Sequence, residues 1–404
     1  MADKSTVSQY KYKINMAYLD QKRGKNTDIL VEHIKFMVID HNYEVNSMPI
    51  IYLSMTIDKL LLDDMILNCN ENLIMLALIK FDDLTDSKQE IQCFRKKFTY
   101  FLPNDVNKND AVDYTENSVD ETRGNSFRQI TLGLMAIDLI NNNKNTFKFL
   151  LKNTTIGVPV NEIMKTFKNV IIEPIGNSDV IPQLVLPTKD SANKALMELN
   201  NIKVFYNTPY RFYQDFNYVY LLSSSGRPTN KPGEKYDSII IDIKDILEDD
   251  ANEIGIIMDK SSKTYHIPVN YANTQIYDNT IINKSVTNIS GMTSSGEKKI
   301  SLKNKSSYAK DKTNTIRLSN DNEGMLDNIR TDKDNNNFLV YFMKNDLDTD
   351  VLSINKRITI HHIDRYREHD GDYLMYRKRE YYVREDDTFI MSSMIDLKQI
   401  MSKS

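Results

Sequence analysis

The sequence predicts a mainly β fold with a smaller α+β portion, and three observations lead to this prediction. Apolar and polar residues alternate in several segments of the N-terminal quarter. Two short segments, residues 160–167 and 192–199, carry apolar residues at helical spacing instead. The aromatic stretch at residues 211–222 alternates again. Since a period of two indicates strands and a period of 3.6 indicates helices, the chain combines many strands with few helices.

Four strands are predicted in the N-terminal quarter, with little helix between them. They cover residues 34–39, 51–57, 71–81 and 94–102. In the first of them Ile34, Phe36 and Val38 share one face, as expected of a half-buried strand. Residues 59–65 are predicted to form one or two helical turns. This pattern indicates a small barrel or sandwich.

A polar, acidic segment at residues 104–125 is expected to be a loop or a domain boundary. After it, residues 126–140 and 147–151 are predicted to pair as a hairpin around the asparagine-rich turn at residues 141–145.

Two short amphipathic helices follow, each with one apolar stripe. The first covers residues 160–167, with Pro159 just before it, where proline is tolerated. The second covers residues 192–199, and either Thr188 or Ser191 can cap its N-terminus. We expect both helices to lie against a sheet.

The stretch RFYQDFNYVYLL, residues 211–222, has five aromatic residues among twelve. Such a mixture could form a nucleic-acid platform, a sugar-binding face or one strand of a sheet. Phe212, Phe216 and Tyr220 share one parity, and this alternation favours a strand whose aromatic side chains pack on both sides. We therefore predict that Phe216→Ala destabilises the fold before it weakens the binding of any ligand. If the ring is fully buried, the free energy of unfolding should fall by roughly 3–5 kcal/mol.

The C-terminal half returns to strands after a change in composition. Residues 277–337 are rich in Asn, Ser, Thr and Lys, and could be a long mobile loop or a set of polar strands. Residues 357–363 and 373–383 are predicted to form an antiparallel pair, and residues 389–400 a strand or a short helix. Further strands are predicted at residues 238–243 and 338–343.

Composition and charge narrow the class of protein. The 404 residues include 52 Lys and Arg against 56 Asp and Glu, a formal net charge of -4, which argues against a general nucleic-acid binder. Two cysteines, Cys69 and Cys93, are too few for a disulfide framework or a four-ligand zinc site, and indicate ordinary thiols in a reducing compartment. We expect no signal peptide and no membrane helix, and folding in the cytoplasm.

Two motifs suggest ligand chemistry, and each has a simpler structural explanation. Gly291 to Lys298 resembles a phosphate-binding loop, but Glu297 stands where the pattern needs lysine. His361 and His362 could bind a metal, but adjacent residues of a strand point to opposite faces.

Charged clusters likewise favour structural roles. Adjacent acidic residues occur at Asp63–Asp64, Asp82–Asp83, Asp386–Asp387 and in the cluster at residues 248–250. A glycosidase needs two carboxylates that face each other across a cleft, and nothing in the sequence identifies such a catalytic pair. The basic run at residues 377–379 lies in an alternating strand, so its charges should divide between two faces and form cross-strand pairs. No catalytic, cofactor-binding or metal-binding residue is predicted, and the protein is predicted not to be an enzyme.

The order of these segments resembles that of the baseplate hub proteins of tailed bacteriophages. In that group a short helix ends in a Leu-Asn pair, and an extended segment then brings an aromatic residue, an arginine and an Asp-Phe pair into an apolar strand. The matching residues here are Leu199, Asn200, Tyr210, Arg211, Asp215, Phe216 and Tyr220 to Leu222, together with Tyr373, Arg377 and Glu380 in the closing pair of strands. Residues 277–337 have no part in the resemblance and are expected to be an insertion.

The resemblance implies two tube-like β-barrel domains with an inserted α+β domain. It places a first barrel at residues 1–110, an α+β domain at 111–210, a second barrel at 211–345 with a polar insertion at about 277–337, and a closing β segment at 346–404. The residues expected to serve as structural or interface positions are Arg211, Asp215, Phe216, Tyr218, Tyr220, Tyr373 and Arg377.

The function implied is that of a structural virion protein in the tail baseplate, assembled in the host cytoplasm. As a homotrimer it would join the six-fold tail tube to the three-fold central spike, with tail tube protein, spike protein and other baseplate subunits as partners. Two alternatives remain at this point. One is a tail-associated hydrolase of cell wall or polysaccharide, and the other is a nucleic-acid-binding module, although no specific nucleic-acid partner is expected.

Overall fold

A computed structural model gives the fold of most of the chain. It describes residues 10–43, 46–68, 71–82, 90–102, 127–206, 208–234, 236–244, 257–259, 261–270, 274–278, 284–290, 298–304, 313–318, 337–344, 352–363, 367 and 370–400. Within these ranges, no helix has both the length and the apolar character needed to cross a membrane. The expected loop at residues 104–125 and Cys69 lie outside the described residues.

The N-terminal quarter is built from six strands and one helix. They are β1 (Tyr10–Asp20), β2 (Lys25–Ile29), β3 (Ile34–Asn42), β4 (Ile50–Asp58), α1 (Lys59–Leu67), β5 (Leu73–Asp82) and β6 (Ile91–Phe101). The four predicted strands are confirmed as β3 to β6, and the predicted helical turns as α1. Two further strands, β1 and β2, were not predicted.

The middle of the chain mixes helices and strands. Its elements are β7 (Phe127–Ala136), α2 (Ile137–Asn142), β8 (Phe147–Thr155), α3 (Gly157–Met164), β9 (Val170–Ile172), β10 (Val180–Lys189), α4 (Ala192–Ile202), β11 (Tyr210–Gln214) and β12 (Val219–Ser223). Both predicted helices are confirmed as α3 and α4. Ser191 caps α4, because its Oγ accepts the backbone N–H of Lys194 at 3.2 Å.

The remaining elements are all strands. They are β13 (Ser238–Lys244), β14 (Ile257–Asp259), β15 (Thr264–Asn270), β16 (Thr274–Asp278), β17 (Lys284–Ser290), β18 (Lys298–Asn304), β19 (Thr313–Leu318), β20 (Asn337–Lys344), β21 (Arg357–His362), β22 (Gly371–Glu385) and β23 (Thr388–Gln399). The predicted pairing of β21 with β22 is confirmed, and β23 is a strand rather than a helix. In the polar segment, β17, β18 and β19 pair as a sheet, which favours polar strands over a loop there.

Eight strands close into an antiparallel barrel. Their order is β22, β3, β4, β7, β6, β5, β1 and β23, and β23 pairs with β22 to complete the circle. Side chains that alternate toward the inside, such as Ile14, Ile39 and Leu53, form a buried first core. Closure satisfies the backbone hydrogen bonds that open edges would leave unpaired. The predicted mainly β fold with a barrel is therefore confirmed.

Two long strands belong both to this barrel and to a second sheet. β22 has 15 residues and β23 has 12, and both continue beyond the barrel. The second sheet runs β14, β15, β13, β21, β22, β23, β20 and β16. A bulge between Met375 and Arg377 lies in the pairing of β22 with β23. Buried residues such as Ile241, Ile358 and Leu397 form a second core against this sheet.

The strand pairing crosses the boundaries expected from the sequence. β7 follows residue 110, and β22 and β23 follow residue 346, yet all three are strands of the first barrel. The division of the chain into domains stays a prediction.

The predicted hairpin of residues 126–140 with 147–151 is wrong. β7 pairs with β4 and β6, whereas β8 pairs with β10. The physical reason is α2, which buries Leu139 in the first core and redirects the chain away from β7.

The pair β8–β10 carries α3 and α4 on one face. A third core is buried between these elements, and it includes Leu184, Leu186, Val160, Ile163 and Leu196. The apolar stripes of the two helices therefore lie against a sheet, as predicted.

Different elements close the two ends of the barrel. At one end α1 inserts Met65, and the backbone oxygen of Met65 accepts the Tyr100 hydroxyl at 2.7 Å. At the other end, near the start of β6, Phe94 contacts Phe216 from the β11–β12 connection. Because β4 and β6 run in the same direction, α1 and the β11–β12 connection lie at opposite ends.

Candidate functional site

The stretch predicted as a single strand is a hairpin in the structure. β11 and β12 pair antiparallel, with Phe212 opposite Leu221 and Gln214 opposite Val219. We call residues 210–223 the aromatic hairpin. The prediction of a β conformation is confirmed, but the prediction of one continuous strand is wrong.

Asp215 causes the chain to reverse. Its Oδ1 accepts the backbone N–H groups of Asn217 at 2.7 Å and Tyr218 at 2.5 Å, and its own N–H donates to the Tyr218 oxygen at 2.9 Å. An aspartate that bonds to the backbone two residues ahead mimics a backbone turn. Its Oδ2 accepts the Tyr220 hydroxyl at 2.7 Å, which ties the turn to β12.

The aromatic hairpin supplies side chains to all three cores. Phe216 packs against the first core, and Tyr213, Tyr220 and Leu222 are buried in the second. The side chains that enter the third core are Phe212, Val219 and Leu221. Since successive residues of a strand point to opposite faces, one short hairpin can join layers on both of its sides.

Phe216 is half-buried at the barrel end. Its ring centroid lies 4.4 Å from that of Phe94, 6.1 Å from Phe98 and 6.4 Å from His41. The ring therefore closes the barrel end as part of an aromatic cluster, but it is not fully buried.

We expect Phe216→Ala to lower the free energy of unfolding by about 2 kcal/mol, less than for a fully buried ring, because less apolar area is lost. Urea unfolding followed by circular dichroism measures this change. Asn217→Ala, at the exposed neighbouring position, is the control and should change stability by less than about 0.5 kcal/mol. A well-folded Phe216→Ala protein of unchanged stability would contradict the packing role.

His41 is buried beside the aromatic hairpin. Its Nδ1 lies 3.1 Å from the Tyr213 hydroxyl. Burial lowers the pKa of His41 well below its usual 6.5, and the nearby Lys378 ammonium lowers it further, against a smaller opposing effect of Asp40. Burial likewise raises the pKa of Tyr43 to about 12 and that of Tyr213 well above its usual value.

A pH dependence follows from the neutral state of His41. Its contribution to stability is complete above pH 6.5, and is lost as the pH falls from 6.5 toward the lower pKa of the folded state. The slope is at most about 1.4 kcal/mol per pH unit. His41→Gln should therefore flatten the fall in stability between about pH 6.5 and pH 5, measured by urea titrations. Equal slopes for both proteins would contradict a buried neutral histidine.

The basic run on β22 divides between two faces, as predicted. Arg377 holds Asp40 of β3 through two bonds of 2.9 Å each. Arg379 pairs with Asp396 of β23 at 3.3 Å, on the same side. Lys378 points the other way, where its buried ammonium bonds to Glu380 at 2.7 Å.

The remaining candidate residues connect the hairpin to β22 and the nearby loop. Arg211 donates to the backbone oxygen of Met375 on β22 at 2.5 Å, and its guanidinium lies over the Tyr43 ring. Tyr373 is fully buried in the second core, and burial raises its pKa. Tyr218 is half-buried, with the Lys231 ammonium over its ring at 5.1 Å. Five of the seven predicted residues thus lie in the aromatic hairpin and Tyr373 shares the second core with it, whereas Arg377 points to the other side of β22, toward Asp40.

A cavity of about 230 Å³ lies between the barrel end and the hairpin tip. Its walls include His41, Phe216, Lys378 and Glu380. Of these, Lys378 and Glu380 are paired with each other, and Glu380 also accepts the Tyr382 hydroxyl at 2.9 Å. The Lys378–Glu380 pair on this wall is therefore already satisfied within the chain.

The histidine pair also behaves as predicted. His361 is exposed and its Nδ1 lies 3.2 Å from Asp242, whereas His362 is buried and its Nδ1 lies 2.7 Å from Asp370. Among the described side chains, no group of three or more His, Cys, Asp or Glu is arranged to bind a metal.

Other motifs lie partly or wholly outside the described residues. These are Gly291 to Glu297, Asp83 and the acidic cluster at residues 248–250. In the pair Asp63–Asp64, Asp64 accepts the Tyr18 hydroxyl at 2.8 Å, so it has a structural role.

One buried ion pair was not predicted from the sequence. The Lys356 ammonium is fully buried and lies 2.8 Å from Glu234, which is only 7% exposed. It also donates to Asn230 Oδ1 at 2.7 Å and to the Tyr236 oxygen at 2.5 Å. These bonds hold the Gly- and Pro-containing loop after β12 against the start of β21.

Solved structures similar to this chain include tail and secretion proteins. A tail protein from Neisseria meningitidis MC58 has a TM-score of 0.49 at 11% identity, covering 96% of this chain and 97% of that one. A 43 kDa tail protein of prophage MuSo2 from Shewanella oneidensis has a TM-score of 0.42 at 11% identity, covering 96% of each chain.

A third similar structure is an Escherichia coli component of the type VI secretion system, described as structurally similar to the T4 tail proteins gp27 and gp5. Its TM-score is 0.42 at 8% identity, covering 92% of this chain and 74% of that one. No protein-family model and no curated protein matches the sequence. The architecture described above rests on the strand pairing of this chain itself.

Proposed function

We propose that this chain is a non-enzymatic structural subunit of a phage tail baseplate, the hub that joins the six-fold tail tube to the three-fold central spike. The observation that supports it most is the closed barrel whose two longest strands continue into a second sheet. Shared strands hold two β units in a fixed relation, and a connector between two assemblies needs such rigidity.

The proposed assembly is a homotrimer in the virion tail, formed in the host cytoplasm. In this proposal the barrel and the second sheet of each copy act as equivalent units, so that three copies would offer six units to a tube and three-fold symmetry to a spike. The proposed partners are the tail tube protein, the central spike protein and other baseplate subunits. Closed symmetry of this kind is the usual arrangement of soluble oligomers.

Size-exclusion chromatography with light scattering tests the proposal. We expect a particle of three times the 47.0 kDa chain mass, and three-fold averages in electron micrographs. Addition of the tail tube protein from the same virus should give a larger complex. A chain that stays monomeric at high micromolar concentration and does not bind tube protein would overturn the proposal.

A further inference from the structure

Helix α1 exposes apolar side chains on its outer face. Leu60 is 78% exposed and Leu67 is 81% exposed, although Met65 on the inner side is buried in the barrel. These two leucines are seven residues apart, so they lie on one face with Asp63 between them. We call Leu60, Asp63 and Leu67 the helix face.

Asp63 lacks the partners that its neighbour has. Asp64 accepts the Tyr18 hydroxyl at 2.8 Å and the Asn68 amide at 3.0 Å. Within the described ranges, no cation forms an ion pair with Asp63, which is exposed. Exposed apolar side chains rimmed by a polar group are a feature of interaction surfaces.

The pair β8–β10 has a second exposed apolar surface. Leu150 is 70% exposed and Val185 is 52% exposed, and the two lie directly opposite each other. Lys148 and Lys152 flank Leu150 on the same face of β8 and are exposed. We call these four residues the sheet face; the opposite side of the pair carries α3 and α4.

We propose that the helix face of one copy of this chain docks on the sheet face of a second copy. This inference rests on the proposed trimer and names the surfaces that would form it. One face is apolar and acidic, the other is apolar and basic, so their charges are complementary. On one copy the chain leaves β7 through α2 at the barrel end opposite α1 and then enters β8, so the two faces follow from opposite ends of the barrel.

The dimensions of the two faces agree. Leu60 to Leu67 spans about 10 Å along the helix axis at 1.5 Å per residue. Lys148 to Lys152 spans about 13 Å along the strand. The long lysine stems can lie over the apolar pair and bring an ammonium to Asp63. Because the contact joins two different surfaces, it repeats head to tail and closes when the rotation completes a ring.

A charge swap tests the contact in the full-length chain. Asp63→Lys should weaken self-association about tenfold, and so should Lys148→Asp with Lys152→Asp, since each places like charges together. The triple variant should return to within about threefold of the wild type. The association constant comes from sedimentation or light scattering over a concentration series.

Cysteine cross-linking tests the same contact by geometry, in a background with Cys69 and Cys93 replaced by Ala. Leu67→Cys and Leu150→Cys on separate, differently tagged chains should form an inter-chain disulfide on oxidation. Leu67→Cys with Met197→Cys is the control, since Met197 is 51% exposed on α4 of the same unit, and it should cross-link at least tenfold less.

The outcomes separate this contact from the proposed function. A trimer that is insensitive to the charge swaps and lacks the Leu67–Leu150 cross-link overturns the contact and leaves the proposed function standing. A chain that is monomeric at every concentration overturns both. Recovery in the triple variant together with the selective cross-link supports the contact.

Discussion

Replacing Lys356 with alanine should lower the free energy of unfolding by about 3–5 kcal/mol. The ammonium is fully buried, and burial lowers its pKa despite the opposing effect of Glu234. Removing it leaves the Glu234 carboxylate enclosed without its cation. The cost comes from this uncompensated charge more than from the lost attraction.

The loop after β12 should lose its anchor in the same variant. Asn355, next to Lys356, donates its side-chain amide to the Thr229 oxygen at 2.7 Å and to Glu234 at 3.0 Å. Because Glu234 is the acceptor shared by both residues, its displacement breaks both attachments. Amide exchange in residues 229–234 should therefore accelerate.

A double variant separates the effect of the buried charge from that of packing, and an exposed ion pair provides the control. Lys356→Met with Glu234→Gln removes both charges and keeps most of the volume, so it should recover a large part of the lost stability. Lys203→Ala breaks an ion pair with Asp179 whose side chains are 35% and 68% exposed, and should cost at most about 1 kcal/mol. Denaturant titrations give the free energy of unfolding of Lys356→Ala, of the double variant and of Lys203→Ala. If the double variant is as unstable as Lys356→Ala, the buried charge is not the cause.

Local periodicity was sufficient to predict many elements. The alternation of Ile34, Phe36 and Val38 predicted β3, and the helical spacing predicted α3 and α4. The same signal was present in β1, where Tyr12, Ile14, Met16 and Tyr18 are buried at alternate positions, and it could have been found.

Pairing partners were harder to predict than elements. The sequence does not say that β22 lies beside β3, because Arg377 and Asp40 meet only when the barrel closes. The same holds for Lys356 and Glu234, which are distant in the sequence and carry no local motif. Such pairs depend on tertiary contacts, which single-sequence periodicity does not contain.

The aromatic hairpin contains one feature that the sequence predicted and one that it did not. Aromatic alternation correctly predicted β structure at residues 211–222. The reversal at Asp215 had a local signal, since aspartate favours turns. That signal was outweighed by the aromatic residues on both sides.

Tyr220→Ala should lower the free energy of unfolding by about 3–5 kcal/mol, since a fully buried ring is removed and a cavity remains. The ring belongs to the second core, and its hydroxyl donates to Asp215 at 2.7 Å. Tyr220→Phe isolates the contribution of this hydrogen bond. It leaves the packing intact and should cost about 1.5–3 kcal/mol, the usual value for a hydrogen bond to a charged group.

The effect of Tyr220→Ala should reach beyond the second core, because the aromatic hairpin joins all three. Phe216 depends on the turn that Tyr220 and Asp215 hold, and Leu221 is the next residue in the third core. Hydrogen exchange should therefore rise together in β6 of the first barrel, in β21 and in α4. Ile360→Ala, on β21 in the second core and outside the hairpin sequence, is the control and should act mainly on β21 and its neighbours. If Tyr220→Ala accelerates exchange only in the second sheet, the cores are held together by other contacts than the hairpin.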